Sequence, residues 1–174
     1  MDGNASAGWF QRHVRKEAEK DVLALPDRIG QMAGVVIGLL LAWYFLDLYN
    51  SGSDFFTSDF DDLDAVLFFG IAFLGVVPGL IKAIMGRKNS VRPLDVALSV
   101  AVLVVLAWFL YAFPFDFAYL SEGLPESIQF LLDWIGNEEA KAIMAIGLVV
   151  NLVLIPYTTA LYFGVRRTLI GRTG

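Results

Sequence analysis

The sequence contains no cysteine and a single histidine, His13. Without thiols there can be no disulfide, no thiolate nucleophile and no cysteine-ligated zinc site. One histidine with no serine or carboxylate constellation around it leaves a nucleophilic triad short of parts. No GxxxxGK[ST] or GxGxxG occurs, so nucleotide phosphates have no glycine cradle. Charge is scarce as well. Asp, Glu, Lys and Arg make up 18% of the chain, against about 25% in an ordinary soluble protein. The expectation is a chain that is not an enzyme, with no cofactor and with no catalytic or metal residues.

The net charge of −5 argues against nucleic acid as a partner, because affinity there depends on basic residues neutralising phosphates. Arg outnumbers Lys and Asp outnumbers Glu. With cysteine absent, that balance resembles the acidic proteins of halophiles, a likeness of composition that names no family.

What is abundant is apolar. Hydrophobic residues make up 57% of 174 residues, more than a soluble fold of this length can hide, so the bilayer is the natural solvent. A hydrocarbon core of about 30 Å takes about 20 apolar residues of helix, and four runs meet that requirement. Ile29 to Leu46 carries no charge and closes at Asp47. Ala65 to Ile81 lies between Asp64 and Lys82, Val96 to Phe115 between Asp95 and Asp116, and Ala142 to Val165 between Lys141 and Arg166. The predicted architecture is all-α: a polytopic bundle of four transmembrane helices, with spans at about 29–48, 65–85, 95–115 and 140–165. Residues 1–28 form a cytoplasmic amphipathic segment, 29–165 the membrane domain and 166–174 a cytoplasmic tail. The first apolar run follows a charged stretch and no small-residue cleavage site comes after it, so it is expected to stay as an uncleaved anchor.

Helix ends carry their own signals. Pro26 and Asp27 suit the first turn of span one. Ser58 with Asp61 resembles a capping box for span two. Pro93 and Asp95 open span three, and Asn137 before Glu138 and Glu139 reads as the N-cap of span four.

Basic residues set the orientation, since cytoplasmic flanks carry the excess of Lys and Arg. Arg12, Arg15, Lys16, Lys20 and Arg28 precede span one. Lys82, Arg87, Lys88 and Arg92 lie between spans two and three, and Arg166, Arg167 and Arg172 follow span four; only Lys141 falls on the other side. Both termini are therefore expected inside, in a cell membrane or membrane envelope. Asn4-Ala5-Ser6 matches a glycosylation sequon but falls on that inner side.

Two segments read as surface helices. Phe10, Val14, Ala18, Val22 and Leu25 recur at helical spacing, with Arg12, Arg15, Lys16 and Lys20 as a basic membrane-facing set and Trp9 as an anchor. Between Pro125 and Gly136, the residues Ile128, Leu131, Leu132 and Ile135 make one apolar face of a short external helix. The tail to Ala7 and residues Gly171 to Gly174 are expected to be disordered.

Polar residues inside spans are the first functional suspects. Asn151, Thr158 and Tyr162 share one stripe of span four, beside a backbone gap made by Pro156. Such a kink can bind an ion or small solute; the plainer reading has Asn151 and Thr158 bonding to neighbouring helices, with Gln31 and Ser99 as candidate partners. Gly34 with Gly38, and Gly75 with Gly79, form GxxxG pairs suited to close helix packing, within the bundle or between copies. The acidic set Asp59, Asp61, Asp62 and Asp64 departs from the EF-hand calcium pattern, with no glycine at its sixth position. The expected function is a non-catalytic scaffold or accessory subunit of a membrane assembly, such as an envelope or viral-membrane component. Its partners would be the lipid bilayer and other membrane subunits or itself. The alternative is a small oligomeric channel or transporter using the Asn151 and Pro156 region.

Overall fold

A computed structural model of the chain describes residues 8–19 and 21–170. The two terminal tails, the sequon and Lys20 lie outside the described residues.

The elements follow in the order α1 (Trp9–Glu19), α2 (Leu25–Ser51), α3 (Asp62–Met85), α4 (Arg92–Ala112), a 3-10 turn (Phe117–Tyr119), α5 (Glu126–Gln129) and α6 (Asn137–Ile170). Four of them, α2, α3, α4 and α6, are long and apolar enough to cross a membrane. At 1.5 Å per residue, the 27 residues of α2 extend about 40 Å and the 34 of α6 about 51 Å, both beyond the hydrocarbon core. Large apolar side chains along these helices face outward, as at Val36, Leu40, Leu74, Val104, Ile146 and Val153, while Asp64 and Arg92 are buried. That is the reverse of a water-soluble fold, in which exposed apolar area costs about 25 cal/mol per Å². The protein is membrane-embedded and all-helical among the described residues.

The helices stand in an open row. The backbone of α2 closely approaches only α3, which meets α4, which meets α6; α1 packs on α6. Glycines set the tightest approach. A Cβ on Gly38 would lie 2.7 Å from Val76, and one on Gly79 would lie 3.1 Å from Val35, so α2 and α3 close on each other where side chains are missing. The partner glycine in each motif behaves differently: nothing lies within 4 Å of a Cβ built on Gly34 or Gly75. Each GxxxG therefore contributes one residue to helix contact and one to open space.

The termini of the bundle are unlike. At one end, here the aromatic end, the α2–α3 and α4–α6 loops are knitted together by a bridge between Phe56 and Phe115 and by a hydrogen bond from the Asp116 amide to the Phe55 carbonyl at 2.8 Å. Phe55, Phe115, Leu48, Phe109 and Leu120 are buried beneath them. At the other, the basic end, Val22 pairs with Arg87, and α1 reaches across to the α3–α4 turn.

Several local expectations are corrected. The capping box of α3 is formed by Asp61 and Asp64 rather than Ser58 and Asp61: the Asp61 side chain accepts from the Asp64 amide at 2.9 Å, and Asp64 reaches back to the Asp61 amide. Asn137 does not cap its own helix; its side chain accepts from the Phe117 amide at 2.7 Å and donates to Asp116, while Glu139 takes the Gly136 amide. The expected helix between Pro125 and Gly136 is a single α-turn, α5, followed by turns in which most bonds run over three residues, as from the Leu131 amide to Ile128. Leu132 and Ile135 pack into the aromatic end, and Leu131 and Trp134 stay exposed, so no single apolar face forms. On α1, Val14 is covered by Leu161 and Val165 of α6 and presses on Gly164, so this part of its apolar face meets protein.

Candidate functional site

The polar side chains of the α6 stripe bond within their own helix. Asn151 donates to the Gly147 carbonyl of its own helix at 3.0 Å, and Thr158 donates to Leu154 and Ile155, again within α6. Neither bonds to a neighbouring helix. A mid-helix amide or hydroxyl finds the carbonyl one turn back more easily than one on another helix. Pro156 sits inside an unbroken α6, and Tyr162 receives a long contact from Arg166 at 3.5 Å. Gln31 and Ser99 belong to α2 and α4 and face a different space; the Ser99 hydroxyl donates to the Asp95 carbonyl.

That space is a cleft of about 840 Å³ between α2, α3 and α4. It exists because α2 and α4 both pack on α3 without meeting each other. Its walls are Gly34, Val35 and Leu41 from α2, Ala72 and Gly75 from α3, and Leu98 and Val102 from α4. Gly34 and Gly75 leave the walls smooth, since no atom lies within 4 Å of where their Cβ atoms would be.

The two ends of the cleft differ in chemistry. Toward the aromatic end it runs into Phe45, Phe55, Phe115 and Phe117. Phe55 and Phe115 are almost fully buried, and the Phe109 and Phe115 rings lie 5.1 Å apart, which closes that end with packed rings. Toward the basic end it is lined by Lys82, Asp95 and Gln31. The Lys82 ammonium donates to the Asp95 carboxylate at 2.8 Å, joining α3 to α4, and both side chains are only partly exposed. Charges at this depth are costly unless paired.

Sequence reasoning placed Lys82 near the end of the span at 65–85 and Asp95 at the start of the span at 95–115, and missed only that the two pair across the α3–α4 turn, which no pattern within either helix displays.

A second polar cluster braces the basic end. Glu17 of α1 accepts from Lys88 at 2.9 Å and from Arg92 at 2.6 Å, and Asp21 accepts from the Asn89 amide. Burial pushes the Glu17 carboxyl upward, but the hydrogen bonds and charges of Lys88 and Arg92 outweigh it and hold the group below its ordinary range. His13 stacks on Trp9 with centroids 5.7 Å apart, and its Nε2 lies 3.0 Å from the Tyr157 hydroxyl. Arg12, Arg15 and Lys16 lie on the exposed faces of α1. Among the described residues, no group of three or more carboxylate or histidine side chains is arranged to hold a metal ion. Comparison of the chain with protein-family models, with curated proteins and with solved structures finds no match in any of the three.

Proposed function

We propose that the chain is a non-catalytic membrane protein that serves as a scaffold or accessory subunit of a larger membrane assembly, with both termini on the cytoplasmic side. The observation that carries this reading is the open row of helices. α6 is packed by α4 on one side and by α1 near its C-terminus, which leaves an aliphatic ridge of Ile143, Ile146, Val149, Val150 and Val153 exposed along its length. Lipid tails are as apolar as these side chains, so helix association there would draw on shape and van der Waals packing. A long, rigid, polar-free ridge supplies that kind of surface to a neighbouring subunit or a second copy.

The channel or transporter reading has less to support it. Asn151, Thr158 and Tyr162 are not among the residues that line the cleft, and the cleft ends against packed rings rather than passing through the bundle.

The test is site-specific photocrosslinking in native membranes. A probe at Val149 or Val153 should capture one protein, the same one recovered in fixed stoichiometry after purification in mild detergent. A probe at Val36 on α2 should capture lipid. Only lipid adducts from the α6 ridge, with a purified chain that is monomeric, would defeat the scaffold reading.

A further inference from the structure

The cleft has a shape and a polarity that select an occupant, independently of whether a protein binds α6. The cleft runs along the bundle between α2 and α4, with an apolar lining for most of its length and its two charged side chains, Lys82 and Asp95, together at one end. An occupant that matches it is apolar for most of its length and polar at one end only.

Length agrees with charge. Lys82 and Phe68 line the cleft fourteen residues apart on α3, a separation of about 21 Å at helical rise. Half of a 30 Å hydrocarbon core is about 15 Å, so a chain entering from the basic end would traverse its own leaflet before reaching the rings. At the mouth, Lys82 gives one of its three donors to Asp95. The Gln31 carboxamide lines the same mouth and makes no side-chain hydrogen bond among the described residues. Arg87, exposed on the α3–α4 turn, adds positive charge at this end. Asp95 offsets the Lys82 charge at the mouth, but the spare N–H donors of Lys82 and Gln31, with Arg87 at the same end, suit an acceptor-only anion such as a phosphate diester.

We propose that the cleft is a glycerophospholipid site: one acyl chain lies along Gly34 and Gly75 against the Phe55 and Phe115 rings, and the phosphate meets Lys82 and Gln31. The lipid would come from the leaflet on the basic side, and it would tie α2 to α4 where the protein itself leaves a gap.

The test counts retained lipid by native mass spectrometry on the full chain extracted in mild detergent. The unaltered protein should keep one phospholipid per protomer through detergent exchange. Gly75→Leu and Gly34→Leu fill the cleft without a backbone clash and replace glycine by a better helix former, so they should fold and lose retention at least tenfold. Val104→Leu, facing outward on α4 and outside the cleft lining, should retain lipid as the unaltered chain does. After delipidation, lysophosphatidylglycerol should bind at least tenfold more tightly than the fatty alcohol of equal chain length, and Lys82→Gln should erase that difference. Equal retention by Gly75→Leu and the unaltered protein would overturn the proposal, as would equal binding of the two amphiphiles. So would a photoprobe at Gly34 that captures a polypeptide instead of lipid.

Discussion

The aromatic and basic ends of this bundle are held by different forces. At the aromatic end, Phe55, Phe56, Phe109, Phe115 and Phe117 pack ring on ring, with centroids as close as 4.8 Å between Phe55 and Phe56, under two loops joined by backbone bonds. At the basic end, a single carboxylate, Glu17, bridges Lys88 and Arg92, and Lys82 pairs with Asp95. Between them, contact relies on glycine approach and is interrupted by the cleft. The contrast follows from the solvent. Hydrophobic burial has no driving force between helices immersed in lipid, so it acts where the chain leaves the hydrocarbon and meets water. Both buried apolar clusters lie at such places, the larger under the long loops and the smaller where Val14 meets Leu161 and Val165.

The most damaging test of this contrast removes a ring from the aromatic end. Phe55→Ala should destabilise the protein by about 3–5 kcal/mol, the usual cost of a buried phenylalanine with its cavity. Equilibrium unfolding in detergent measures it, and hydrogen exchange should locate the loss in residues 52–61 and 113–120. A cost under about 1 kcal/mol would mean that the rings are not a water-excluding core.

The basic end should respond to charge instead. Glu17→Gln weakens two charge-assisted hydrogen bonds and should cost about 1.5–3 kcal/mol, read as faster exchange in α1 with the aromatic end unchanged. Acid should act in the same direction. The Glu17 carboxyl is held below its ordinary value of 4.5, so its contribution is complete above that pH and disappears as pH falls through the lower folded value. Trp9 fluorescence, followed on acidification, should report α1 leaving Tyr157. No change down to pH 2 would remove Glu17 as the clamp.

Much of this molecule could be read from the chain because it depends on local chemistry. The four crossings are uninterrupted apolar runs, and Pro26, Pro93 and Asp95 sit in the first turns where they were expected. What escaped depends on residues far apart in sequence. Glu17 meets Lys88 and Arg92 across 71 and 75 positions, and no periodicity in either segment announces the other. The cleft escaped for the same reason: it is a gap between α2 and α4, a property of three helices that no single one displays. Aromatic density was a usable clue left unread. Phe55, Phe56 and Phe60 in one loop and Phe113, Phe115 and Phe117 in the other are unusual for solvated connections, and their recurrence on both sides of two spans marks loops that pack together. The α6 stripe was visible, but Asn151 and Thr158 bond within their own helix and not to the neighbouring helices expected of them, since spacing along one face says nothing about what stands opposite it.

Backbone conformation should affect the two ends alike, which makes it a control on the side-chain contrast. Gly52 closes α2 at the aromatic end with φ 70°, and Gly86 closes α3 at the basic end with φ 63°. An alanine in this left-handed region costs about 1–2 kcal/mol. Gly52→Ala and Gly86→Ala should therefore lower stability by similar amounts, measured by the same unfolding experiment and independent of salt. A difference that grew with ionic strength would show that the Gly86 turn is coupled to the charges around it, beginning with Arg28, whose guanidinium caps the Ala83 and Ile84 carbonyls.

The smallest effect is expected between the ends, on α6. Asn151 donates to a carbonyl that already belongs to its own helix ladder, so its amide joins nothing together. Intramembrane hydrogen bonds average about 0.6 kcal/mol even between helices, and this one should contribute no more. Asn151→Leu removes the polar amide and replaces it with a good helix former of similar size, so unfolding in detergent should change by less than that amount. Flux through proteoliposomes supplies the sharper arm. If the unaltered chain moved an ion or solute and Asn151→Leu abolished the movement, the polar middle of α6 would be a working site, and the assignment of its amide to its own helix alone would be wrong.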